Sequence, residues 1–140
     1  MRHVLIIALS AAISLLPGVA VSQFGNVPWR VAELPEPRSF EIAEGFSAMT
    51  SRFWCEAGRY AVKKYGATGS ERIYVLNPYG ASVAGLRGRA VGFTLSPDQA
   101  LLEKAANAGG NSLSVKMVGY NISVGHARGY CGLDANVFRM

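Results

Sequence analysis

The residues able to do chemistry are few. Cys55 and Cys131 lie far apart in sequence and form no C-x-x-C motif, so their spacing argues against a redox pair. In an oxidising compartment an even cysteine count reads as paired thiols, and two cysteines allow a single intramolecular disulfide. Closing so long a loop is worth about 4–4.5 kcal/mol in the chain-entropy account, before any native strain is subtracted.

His126 is the single histidine outside the N-terminal leader. Nucleophilic catalysis needs a nucleophile, a base and an orienting group, and no G-x-S-x-G elbow is present. His126 with a carboxylate is therefore the one hydrolytic arrangement to consider. Of the carboxylate pairs, Glu41 with Glu44 and Asp98 with Glu103 read more simply as solvated linker or helix-end charges. Metal binding needs three or four convergent ligands, which one histidine and two oxidised cysteines do not supply; neither a metal nor a cofactor is expected.

A third group of residues suits binding. Gly85-Leu86-Arg87-Gly88-Arg89-Ala90 is basic and glycine-rich, and two arginines at i and i+2 can both project from a loop toward phosphate or carboxylate. The competing description is a solvated hairpin turn. Asn77-Pro78-Tyr79-Gly80, close by, adds an aromatic, so Tyr79, Arg87 and Arg89 are the candidate binding residues. Gly109-Gly110 follows a helix rather than preceding one and is no phosphate loop.

The elements that must position these groups show in the hydrophobic periodicity. Phe46, Met49, Phe53, Ala57, Tyr60 and Lys64 recur at helical spacing over 47–65, widened by Trp54 and Ala61. Ser47 is the expected N-cap and Gly66 the stop, with Lys63 and Lys64 at the negative end of the helix dipole. Residues 72–76 read as a strand closed by a turn at 77–80, because proline and glycine stand where a turn wants them. Residues 89–95 and 112–118 alternate apolar with small or polar side chains, which predicts antiparallel strands with one buried face. Ser96-Pro97-Asp98-Gln99 opens a second helix, with Leu101, Leu102 and Ala105 inward, and Ser123 opens a short third one carrying Val124, Ala127 and Tyr130. Together these predict an α+β domain over 46–131: a small antiparallel sheet of about three strands, two to three helices packed on one face, and one disulfide. Residues 23–45, interrupted by Pro28, Pro35 and Pro37, are expected to form an extended arm, and 132–140 a tail.

Residues 1–22 have the three parts of a secretory signal peptide: Arg2 and His3, an apolar run over 4–16, then Ala20-Val21-Ser22 as the cleavage site. The run is short of the roughly 20 apolar residues a spanning helix needs. No cysteine follows the site to carry a lipid, and the expected mature chain has no second apolar segment of that length. Its location is then periplasmic or secreted. The formal net charge of +5 becomes +4 once Arg2 is lost, the charges are scattered, and no polybasic run is present, so nucleic acid is not an expected partner. Weak attraction to an anionic envelope component is compatible with that charge.

The segments Phe53-Trp54-Cys55-Glu56-Ala57-Gly58-Arg59-Tyr60-Ala61 and Gly125-His126-Ala127-Arg128-Gly129-Tyr130-Cys131 resemble small uncharacterised secreted proteins of alphaproteobacteria, over roughly residues 50–131. That resemblance implies export and a disulfide and implies no activity. The sequence thus points to a non-catalytic binding module of the cell envelope. Its alternatives are a small envelope hydrolase using His126 with a carboxylate, and a structural or assembly factor meeting another envelope protein through the arm at 23–45.

Overall fold

In the computed structural model, residues 21–23, 28–45 and 49–132 are described. Residues 1–20 of the expected signal peptide, the expected N-cap Ser47 and residues 133–140 of the expected tail lie outside them. Strands β1 (Val21–Gln23), β2 (Pro28–Glu33) and β3 (Ser39–Ala43) come first, then helix α1 (Thr50–Tyr65). Strands β4 (Arg72–Ala81) and β5 (Arg89–Thr94), helix α2 (Gln99–Asn107), strand β6 (Asn121–Ser123) and helix α3 (Val124–Gly129) follow, and a 3-10 turn (Tyr130–Gly132) completes the described chain. The sheet is antiparallel throughout, in the order β1-β2-β3-β5-β4-β6. The α+β class and the disulfide hold, but the sheet has five strands from β2 to β6 plus the short β1, not about three.

The extra strands come from within the expected arm: residues 28–33 and 39–43 are paired in the sheet. β3 lies inside the sheet between β2 and β5, and Trp29, Phe40 and Ile42 are wholly buried. The signal was present: Phe40 and Ile42 alternate with Ser39, Glu41 and Ala43, a period-two pattern. Proline and glutamate suggested a solvated lead-in, yet Pro28 opens β2 and Pro35 and Pro37 lie in the β2–β3 turn, places a ladder tolerates them.

α1 forms as its spacing requires. Phe53, Trp54, Ala57 and Ala61 are fully buried against Phe40, Ile42, Ile73, Val75, Val91 and Phe93 of the sheet. Gly66 ends it in the left-handed conformation at φ 64°, with its amide bonded to Val62 O, while Met49 stands at the N-cap without a side-chain bond. α3 packs beside α1 on the same face and adds Val124 and Ala127 to this core. The contact is close because Gly58 has no side chain: a Cβ there would lie 2.9 Å from Arg128 Cγ and 3.1 Å from Ala127 Cβ. α1 is joined covalently to the 3-10 turn that follows α3, Cys55 to Cys131, with their Cα atoms 4.9 Å apart, inside the range a disulfide spans.

Two expected boundaries fail for one reason. Asn77-Pro78-Tyr79-Gly80 is no turn; β4 runs through it to Ala81, with register shifts against β5 between Val75 and Asn77 and between Asn77 and Gly80. A bulge is where a strand admits proline. Residues 112–118, expected as a strand, cross this irregular stretch as a loop. Tyr79 N donates to Val115 O, and Trp54 Nε1 to Ser114 O at 3.1 Å. Bonds to Val75 of β4 resume at Gly119 and Tyr120, and regular pairing begins at Asn121 in β6. The alternation of 112–118 buries Val115 alone, because a bulged neighbour offers no evenly spaced ladder.

α2 is capped by Asp98, whose carboxylate accepts from Leu101 N at 2.8 Å, so the cap falls two residues after Ser96. Of its predicted inward residues Leu101 is buried and Leu102 is exposed. Gly119, at φ 85°, lies against its backbone: a Cβ there would stand 2.7 Å from Ala105 N. Gly119→Ala is therefore expected to cost about 2–4 kcal/mol, from left-handed strain plus displacement of backbone that cannot yield. Gly109→Ala, with nothing within 4 Å, should cost about 0.5 kcal/mol or less. Denaturant midpoints of the two variants test this; equal midpoints would contradict it.

Candidate binding site

The site begins on the second face of the sheet, away from α1. Alternation along β3 and β5 sends Ser39, Glu41, Ala43, Ala90 and Thr94 there, and all are buried. Ser39 Oγ donates to Thr94 Oγ1 at 2.7 Å. Asn77 lies over Gly92, so closely that a Cβ on Gly92 would come within 2.6 Å of Nδ2.

Glu41 is the decisive residue of this face. It is 1% exposed, not the solvated linker charge its sequence context suggested. Its carboxylate accepts from Ser82 Oγ at 2.6 Å, Val83 N at 2.8 Å and Ala84 N at 3.0 Å. A buried carboxylate is tolerable only when its lone pairs are met, and here the β4–β5 loop supplies the donors. Ser82 Oγ in turn accepts from Leu86 N at 2.8 Å. The loop is thus folded around an internal anion.

The candidate binding residues lie off the face of Glu41: by the same alternation Arg89 falls on the α1 side with Val91 and Phe93, where Tyr79 also packs. Tyr79, on the bulged end of β4, packs edge-on against Phe53 and donates its hydroxyl to Glu44 Oε2 at 2.6 Å. That bond to a carboxylate, reinforced by burial, raises the phenol above its ordinary pKa, so Tyr79 stays a neutral donor. The Arg89 guanidinium lies 4.9 Å from the Tyr79 ring centroid, a cation–π contact. The structure therefore brings Tyr79 and Arg89 together. Arg87 is exposed two residues earlier, in the β4–β5 loop. Among the described residues neither Arg87 nor Arg89 forms an ion pair with a carboxylate.

Arg30 joins the group from β2. Its Nη2 donates to Glu44 O at 3.0 Å and would lie 3.2 Å from a Cβ on Gly88, so glycine at φ 88° lets the loop pass over the guanidinium. Arg30 escaped sequence reasoning and Glu44 was set aside as a linker charge, because both fall in the supposed arm; the alternation of β2 and β3 was the signal that would have placed them.

His126 stands apart from this group. It is exposed on α3, stacks on Tyr130 and bonds its hydroxyl at 3.1 Å, and among the described residues no carboxylate bonds its ring. Among the described residues no group of three His, Cys, Asp or Glu converges as metal ligands, and no helix is long and apolar enough to cross a membrane. No family model matches the chain, nor does any curated protein or solved structure.

Proposed function

We propose that this chain is an exported, non-catalytic binding module that takes anionic groups, phosphate or carboxylate of an envelope component, on residues 77–89. The observation that carries this reading is Arg89 held over the Tyr79 ring at 4.9 Å while Tyr79 is itself anchored to Glu44. A guanidinium so fixed has lost most of its rotamer freedom before a ligand arrives, and its fork of donors still matches an oxyanion. Arg87, exposed and without a carboxylate partner among the described residues, adds a second cation two residues away. Export is supported by the disulfide, which persists in oxidising compartments, together with the leader-like pattern of residues 1–22.

The other two readings draw no comparable support. A hydrolase would want a carboxylate on His126, whose ring instead meets Tyr130. An assembly factor would want a free arm, and β3 is already paired on both edges.

Arg87→Ala/Arg89→Ala is expected to elute from immobilised dextran sulfate at clearly lower salt than the parent chain, with stability changed by about 0.5 kcal/mol or less. Lys63→Ala/Lys116→Ala removes the same charge from two other exposed positions and serves as the control. Equal elution of the two double variants would show that net charge alone acts and that the loop is an ordinary turn.

A further inference from the structure

Residues 81–86 read Ala-Ser-Val-Ala-Gly-Leu, an apolar run that the fold leaves at the surface. Val83 is 62% exposed, Ala81, Ala84 and Gly85 are exposed, and Leu86 is half-buried. An exposed valine alone means little. Here it coincides with two other features of the loop.

The amides of Val83 and Ala84 are already donated to the buried Glu41 carboxylate, and that of Leu86 to Ser82 Oγ. The tip can therefore leave bulk water without stranding these donors, which is the main obstacle to placing a loop at a bilayer interface. The next residues are the cations: Arg87 and Arg89, exposed and without a carboxylate partner among the described residues. An apolar tip with basic residues beside it is complementary to an anionic lipid surface, whose phosphates lie just outside its acyl boundary. Because Glu41 and Tyr79 hold the loop in shape, docking orders little that is not ordered already.

We propose that residues 81–89 seat this protein on anionic lipid bilayers, with Val83 and Leu86 entering the headgroup–acyl boundary and Arg87 and Arg89 on lipid phosphates. This rests on the reading that the loop takes anionic groups, and it names the source as lipid rather than polymer.

The full chain after removal of the leader would be titrated with vesicles of phosphatidylglycerol and phosphatidylcholine, vesicles of phosphatidylcholine alone, and soluble dextran sulfate. Binding is expected to the first vesicles and not to the second. Arg87→Ala/Arg89→Ala should lower the partition coefficient about thirtyfold, at the usual worth of a basic residue beside an anionic surface. Val83→Ser should lower it about fivefold, from the apolar area no longer buried, and leave dextran sulfate binding unchanged. Val83→Trp should shift its fluorescence to the blue on the anionic vesicles. Binding to dextran sulfate without binding to vesicles, or vesicle binding indifferent to Val83→Ser, would overturn the lipid proposal and leave the anion-binding loop standing. Binding to neither polymer nor vesicles would overturn both.

Discussion

Glu41→Ala is expected to destabilise the protein by about 2–4 kcal/mol, because it strands three donors built around the carboxylate. Ser82 Oγ, Val83 N and Ala84 N all point at an oxygen of this side chain, and Glu41 sits at 1% exposure on an internal strand. The loop is at the surface, so part of the loss is recovered by hydration as it opens. That opening is itself measurable: amide exchange at Val83, Ala84 and Leu86 should accelerate well beyond that of β5. Glu41→Gln keeps the volume and one acceptor oxygen but turns an NH2 toward donors, and should cost about 1–2 kcal/mol. Urea unfolding with hydrogen exchange on both variants checks the prediction. If Glu41→Ala unfolds within about 0.5 kcal/mol of the parent, the carboxylate is not what holds the loop.

The second large effect belongs to the disulfide. Cys55→Ala/Cys131→Ala releases a cross-link between residues 76 apart in sequence, and a loss of about 2–4 kcal/mol is expected. The sheet and α1 should survive. Their cluster of Trp54, Phe93, Phe40 and Ile73 stays packed without the cross-link, and Gly58 still allows α3 to approach α1. The double variant should therefore keep its far-ultraviolet circular dichroism while its thermal midpoint falls. Exchange protection should drop first over α3 and the 3-10 turn, which lie at the end of the described chain. Oxidised and reduced parent protein with the same midpoint would show that the bond contributes nothing.

Much of the local structure was legible from sequence for identifiable reasons. α1 shows a broad apolar stripe, a glycine stop and lysines in its last turn, all local signals within a few residues of each other. Ser123 was recognisable as the cap of α3, and its side chain does accept from His126 N. β5 alternates over a single regular stretch. The cysteine pairing followed from an even count read together with an oxidising compartment. Where local signals conflicted, the reading failed. Residues 28–43 carry alternation together with prolines and glutamates, and composition masked period; Asn77-Pro78-Tyr79-Gly80 has turn chemistry but is used as a bulge.

The candidate site divides in the same way. Sequence by itself determined which side chains are available: one histidine beyond residue 22, two cysteines, and a short basic loop beside a tyrosine. It also determined the local periods that make the helices, since helix formation depends on neighbours three and four residues away. Only the tertiary structure decided that β3 runs through the interior of the sheet and that Glu41 is buried. It alone decided that the loop 41 to 43 residues further on bends back to satisfy that carboxylate, and that Glu44, 35 residues before Tyr79, fixes the phenol on which Arg89 rests. Those pairings depend on which strands become neighbours. Strand order is set by the burial of whole apolar faces against α1, a non-local balance that no window of residues contains.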